Sequence, residues 1–261
     1  MRLLPALSLG ATLLMGLSQA GAADTKFVSV KGMVTYTKAS DPAVEDVKTD
    51  KAVCCKDGDL KSNKYIVNAK TKGLQNAVVW LRPDSDDREA KFPQDKTEPS
   101  LLKAKPVTHV LDQPKCQFEP RVLAAREGDS IQVKNSSEIS HNINWNGNGL
   151  TFNVSIPSKK DYKPEETLKA ERLPTSFACN AHGWMQGRMR VFDHPYFAVT
   201  DENGNFEIKG APEGKFRIVY WHEAGFHKGK EGVNGFEIDI KDGGKNTMEL
   251  KPIDIELPAA K

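Results

Sequence analysis

"FACNAHGWMQGRM", residues 177–189, sets Cys179, His182 and Met185 at three-residue steps within one short segment. Thiolate, imidazole and thioether are soft to borderline donors, a set that favours copper over magnesium or calcium. Zinc would want four donors from cysteine, histidine or carboxylate, and methionine serves it poorly. A c-type haem needs Cys-x-x-Cys-His, which the chain lacks. Taken singly, a cysteine at a strand end is a small buried hydrophobe or a disulfide partner, and a methionine is core filling. Spacing and donor softness together favour ligation, provided a second histidine exists.

The stretch "VKNSSEISHNINW", residues 133–145, supplies His141 after a β-type run, 38 residues before Cys179. Here Asn135 precedes the histidine by six positions and Asn142 follows it. The two segments together resemble the cupredoxins, small Greek-key β-sandwiches that hold blue copper, and the loop has the short spacing of amicyanin. The resemblance covers roughly residues 106–193. It implies His141, Cys179 and His182 as equatorial copper ligands, Met185 as the weak axial one, and one-electron transfer as the activity. It implies that Asn135 ties the two ligand segments together and restrains the thiolate, and that Trp184 belongs to the surface patch where electrons enter. Ser140 and Ala181 stand where family members often carry proline, which bears on potential and affinity more than on ligation. Trp145 and Met189 read as core. His109, His194, His222 and His227 have no such company and read as structural or surface residues; His222 and Glu223, as strand neighbours, point to opposite faces.

Outward from these segments, nearly every apolar run is short, β-branched or aromatic, and bounded by Gly, Pro, Asn or Asp, which predicts an all-β protein. "HNINW", "FRIVYW" and "FEIDI" alternate as half-buried strands do. "PEETLKAERL", residues 164–173, predicts two turns of helix. Residues 82–105 are charged and Pro-punctuated, and read as an exposed connection.

A second signature lies in "AVTDENGNFEIKGAPEGKFRIVYWHE", residues 198–223, where two turn phrases flank an alternating strand. It resembles the carboxypeptidase regulatory-like, transthyretin-like β-sandwich. That module's opening strands match "VKGMVTY", with Gly32, and "NAVVWL", Ala77 to Leu81, far upstream. The expected organisation is therefore residues 27–105 and 194–261 as one sandwich with the cupredoxin-like residues 106–193 inserted; the rival is 27–105 as a separate β layer packed on the cupredoxin. Asp201, Asn203 and Asp242 read as turn residues, since no loop offers the six or more oxygens that calcium wants.

The N-terminus, one Arg followed by an apolar run from Leu3 to about Leu17 and Ala20-Gly21-Ala22, reads as a secretory signal cleaved after Ala22. The run is shorter than the roughly 20 residues that span a bilayer. A periplasmic or secreted protein is expected. Of 37 basic residues, removal of Arg2 leaves 36 against 35 acidic ones, a balance with no field for nucleic acid or anionic membrane. Four cysteines in an exported chain point to disulfides. With Cys179 reserved for metal, Cys54 or Cys55 pairs with Cys116; a bridge to Cys179 would abolish the copper site.

No Gly-x-Ser-x-Gly, His-Glu-x-x-His or Gly-rich phosphate loop occurs, so no enzyme is expected. The leading expectation is an exported copper protein that passes single electrons to a redox partner protein. A periplasmic copper binder, or a recognition protein with a vestigial copper site, are the alternatives.

Overall fold

A computed structural model of the chain describes residues 26–38, 54, 60–147 and 149–258. The expected export signal and Cys55 lie outside these residues. The described residues are almost entirely β, in four sheets, as the apolar pattern predicts. No helix among them is long and apolar enough to cross a membrane.

One pair of sheets is built from the two ends of the chain. Strand β1 (Phe27–Thr35) pairs antiparallel with β12 (Asn205–Pro212), and its other edge takes β16 (Thr247–Glu249) and β17 (Ile253–Asp254) in parallel. In the facing sheet, β2 (Val78–Pro83) lies between β11 (Phe197–Val199) and β13 (Gly214–His222), and β13 also carries β14 (Gly225–Phe226) and β15 (Phe236–Ile240). Val30, Val34, Leu81, Phe206, Ile218 and Tyr220 are buried in one core between them. Burial in β13 is unbroken from Ile218 to His222. Both faces of that strand are covered: Ile218 and Tyr220 belong to the sandwich core, while Val219 and Trp221 join Val78, Trp80, Val122 and Phe192 in a separate seam.

The other pair comes from the middle of the chain. Its larger sheet runs β4 (Val122–Arg126), β10 (Gln186–Phe192), β9 (Thr175–Ala178), β6 (His141–Asn146), β7 (Thr151–Ile156). Its smaller sheet holds β3 (Thr108–Leu111), β5 (Ser130–Lys134) and β8 (Asp161–Tyr162). Along β6 the period of two turns His141, Ile143 and Trp145 inward and leaves Asn142, Asn144 and Asn146 outside. Trp145 stacks on Phe177 of β9 at 5.2 Å in the core that the sheets enclose. β4 and β10 run parallel, with Arg188–Phe192 opposite Val122–Arg126, so strands distant in sequence close this sheet.

Two local expectations fail. "PEETLKAERL" is not helical: its backbone bonds outward, Leu168 N to Asp129 O at 2.8 Å and Glu171 N to Val191 O at 2.9 Å, while Leu168 is buried in the core. Those long-range partners replace the i to i−4 bonds that composition alone favoured. Residues 82–105 are not a bare connection either. Phe92 is buried and stacks on Phe216 at 5.3 Å, and the short helix α1 (Pro99–Leu102) is capped by Glu98, which accepts from Leu101 N.

Candidate metal centre

Antiparallel pairing of β6 with β9 sets Asn144 opposite Ala178, so Cys179, the next residue, leaves the sheet beside the start of β6. β9 returns as β10 with Gln186 opposite Ala178. The intervening loop is tied across its base by Cys179 N donating to Met185 O at 2.9 Å, and inside by Met185 N donating to His182 O at 2.8 Å. This short closure brings the loop's donors back over His141.

The donors converge. His141 Nδ1 and His182 Nδ1 are 3.0 Å apart, and Cys179 Sγ is 3.5 Å from His182 Nδ1. One ligand atom from each of the three residues lies within 4.8 Å of the others. Metal bonds of about 2.0 Å to nitrogen and 2.3 Å to sulfur would subtend roughly 100° and 110° across those two separations, angles that one ion accommodates for each pair. His141 and Cys179 are buried and His182 is half-buried. Burial, with His182 beside it, pushes His141 down to about 4, which keeps the imidazole neutral and its lone pair available near pH 7. Met185 is buried in the same core as Cys179.

The polar residues around the donors divide differently from expectation. Asn135 is buried, but its amide nitrogen donates to Ile139 O and Ile156 O, both at 2.8 Å, and its oxygen accepts from Ser137 N and Ser137 Oγ. It fixes the turn that leads into β6 and the end of β7, and so positions His141. Asn142 makes the link between ligand segments: its side-chain oxygen accepts from Asn180 N at 2.7 Å and lies 3.2 Å from Cys179 Sγ. A His-Asn pair in which only the histidine faces inward was the available sign of this role.

Trp184 is half-buried, its ring 5.1 Å from that of His182 and its Nε1 donating to Cys116 O at 3.0 Å. Cys116 is bridged to Cys54, 62 residues away, and Cys179 is free and buried. The bridge sulfurs and a ring nitrogen of His182 lie within 4.8 Å of one another, so the disulfide adjoins the cluster without consuming its thiol.

The remaining histidines are engaged elsewhere: His109 with Asp129 at 2.8 Å, His227 with Asp254 O at 2.8 Å, and His194 and His222 buried with Nδ1 accepting from Tyr196 N and Ala224 N. Asp201 accepts from Asn203 N and Asn205 N, and Asp242 from Gly244 N, as turn residues do.

No protein-family model and no curated protein matches the chain. Among solved structures it is similar to a mutant amicyanin in its Cu(I) form, at 19% identity over 32% of this chain and 81% of that one, with a TM-score of 0.28. It is similar to a purple cupredoxin from Nitrosopumilus maritimus, at 18% identity over 31% and 97%, TM-score 0.27. It is also similar to oxidised plastocyanin from Dryopteris crassirhizoma, at 14% identity over 32% and 99%, TM-score 0.27.

Proposed function

We propose that the chain is an exported type 1 copper protein that carries single electrons between redox partner proteins. The observation that supports this is the convergence of His141, Cys179 and His182 from two segments 38 residues apart in sequence. In this reading those three would hold the copper, with Met185, buried in the same core as Cys179, as a fourth and weaker donor. Copper held by such a set supplies a one-electron couple with little change of geometry.

The chain's own residues supply the rest. Cys179 offers the soft anionic donor, and the neutral His141 offers nitrogen without a proton to displace. The loop bonds from Met185 to Cys179 and His182, with Asn142 bound to Asn180, hold the donors in place when the metal's charge changes. His182 is the half-buried ligand, flanked by Trp184, and is the natural point for exchange with a partner. A fastened, mostly buried donor set suits electron transfer better than metal hand-over, which needs ligands that open.

The same reading treats residues 106–193 as a cupredoxin-type sandwich inserted into a transthyretin-like one made of residues 27–105 and 194–261. The pairing of β1 with β12 and of β2 with β13 fits that division.

Anaerobic copper titration followed by visible and paramagnetic resonance spectra tests the function. The expected result is an intense red-region absorption from thiolate-to-copper charge transfer that Cys179→Ser removes. A protein that takes up copper and stays colourless overturns the reading.

A further inference from the structure

Away from the copper cluster, four arginines meet where the two pairs of sheets adjoin. Arg82 comes from β2, Arg88 from the segment after it, Arg172 from the segment before β9, and Arg190 from β10. They line a small cavity of about 30 Å³ whose walls include Trp80 and Phe226 and no acidic residue. A neighbouring cavity of about 330 Å³ shares Trp80 and all four arginines, and is lined as well by Glu89, Glu127, Glu171 and Asp193, so the arginine-only end is the small cavity.

Arg190 is the least ordinary member. Its residue is only 9% exposed, and among the described residues no carboxylate lies within ion-pair distance of it. It donates through Nη1 to Arg172 O, and its guanidinium lies over Trp80 at 4.5 Å and Phe192 at 4.7 Å. Arg190 Nε and Trp80 Nε1 are buried donors with no acceptor in the protein. Burial, with Arg82 and Arg172 beside it and against the pull of Asp193 and Glu171, pushes the Arg190 guanidinium down to about 9. A buried cation without a counter-charge is strongly unfavourable, and aromatic faces offset only part of that.

Arg82 and Arg88 are oriented but make no ion pair among the described residues. Arg82 donates to Asn234 O and Asp87 O, and Arg88 to Asn234 Oδ1, all neutral acceptors. Arg172 alone has an acid, Glu89 at 3.2 Å, and that pair is exposed. Planar forks of donors lining one small cavity, three of the four outside ion-pair distance of any described carboxylate, match the oxygens of a phosphate or carboxylate group.

We propose that this cleft binds a small oxyanion, a phosphate or carboxylate group held by Arg82, Arg88, Arg172 and Arg190. Bound there, the anion would bridge the two pairs of sheets. The site is independent of copper.

The test is calorimetric titration of the full chain with inorganic phosphate and, separately, with citrate, each against chloride at equal ionic strength. Saturable binding with a raised unfolding temperature is expected. Tighter binding of phosphate identifies a phosphate site, and tighter binding of citrate a carboxylate site; either supports the proposal. The double variant Arg88→Gln, Arg172→Gln changes exposed side chains, so it should unfold in chloride as the parent does while binding weakens by about tenfold or more. Arg190→Met probes the buried cation directly and should abolish binding. Absence of binding by either anion in the folded parent overturns the proposal, as does undiminished binding by the double variant.

Discussion

The side-chain oxygen of Asn142 lies 2.7 Å from the backbone nitrogen of Asn180, across a gap of 38 residues in sequence. That bond fastens the segment carrying His141 to the loop carrying Cys179 and His182. The same oxygen stands 3.2 Å from the Cys179 sulfur, so one carboxamide limits both where the loop sits and which way its thiol can turn. Asn142→Ala should cost only about 1 kcal/mol of stability, because Asn180 is exposed and water can replace the acceptor. Its effect on the metal should be larger: faster copper loss to a chelator and a shifted visible band, measured against Asn142→Asp. A variant indistinguishable from the parent in both would remove Asn142 from the site.

The two pairs of sheets are also joined by a buried ion pair. Arg121 Nε meets Glu223 Oε1 in close contact and Arg121 Nη2 donates to Oε2 at 3.1 Å, with the two side chains 6% and 1% exposed. Arg121→Met alone leaves Glu223, among the described residues, with Arg188 at 3.9 Å as its cationic neighbour, and should destabilise by about 3–5 kcal/mol. Glu223→Gln added to it should recover part of that loss, in urea unfolding of the single and double variants.

Acid should unfold the metal-free protein early. Burial pushes both His194 and His222 down to about 3, with positive charge from Arg190 and Arg121 respectively adding to it. The folded state keeps both neutral, whereas the unfolded chain protonates each below its ordinary 6.5. Stability from this source is therefore complete above about pH 6.5 and declines as pH falls toward 3, by up to about 1.4 kcal/mol per pH unit per histidine. His194→Gln, whose amide oxygen can still accept from Tyr196 N, should remove one histidine's share of that slope in urea midpoints measured at successive pH values.

Reduction of Cys54–Cys116 opens a connection of 62 residues. Chain entropy assigns such a bridge about 4 kcal/mol. A dithiol reductant should therefore lower the unfolding temperature markedly, and a Cys54→Ser, Cys116→Ser protein should match the reduced parent and be insensitive to reductant.

Gly187 follows the loop in β10, and a Cβ there would fall 2.3 Å from the Phe177 ring and 2.6 Å from Arg121 O. Backbone cannot yield as a flexible side chain does. Gly187→Ala should cost about 1–3 kcal/mol or more, with the visible band of the copper form reporting whether displacement of Phe177 reaches Cys179.

Much of this was legible in local patterns. Alternation in "HNINW" places His141 inward, and three-residue steps in "CNAHGWM" predict a tight loop, because both are short-range properties of a strand and a turn. What local patterns miss is set at long range. Asn142 faces outward by the same alternation, and its importance comes from a loop 38 residues later; Asn135 supports the strand instead. "PEETLKAERL" has helical composition, yet bonds to Asp129 and Val191 decide its conformation. The arginines at positions 82, 88, 172 and 190 are spread over two pairs of sheets and leave no local trace.

The chain's four tryptophans occupy different surroundings. Trp80 and Trp221 sit in the seam and Trp145 in the central core, whereas Trp184 lies against the His182 ring. Intrinsic emission from this protein therefore contains one contributor wired to the candidate ligand. Quenching of that contributor on metal loading gives an optical gauge of occupancy that needs no added dye.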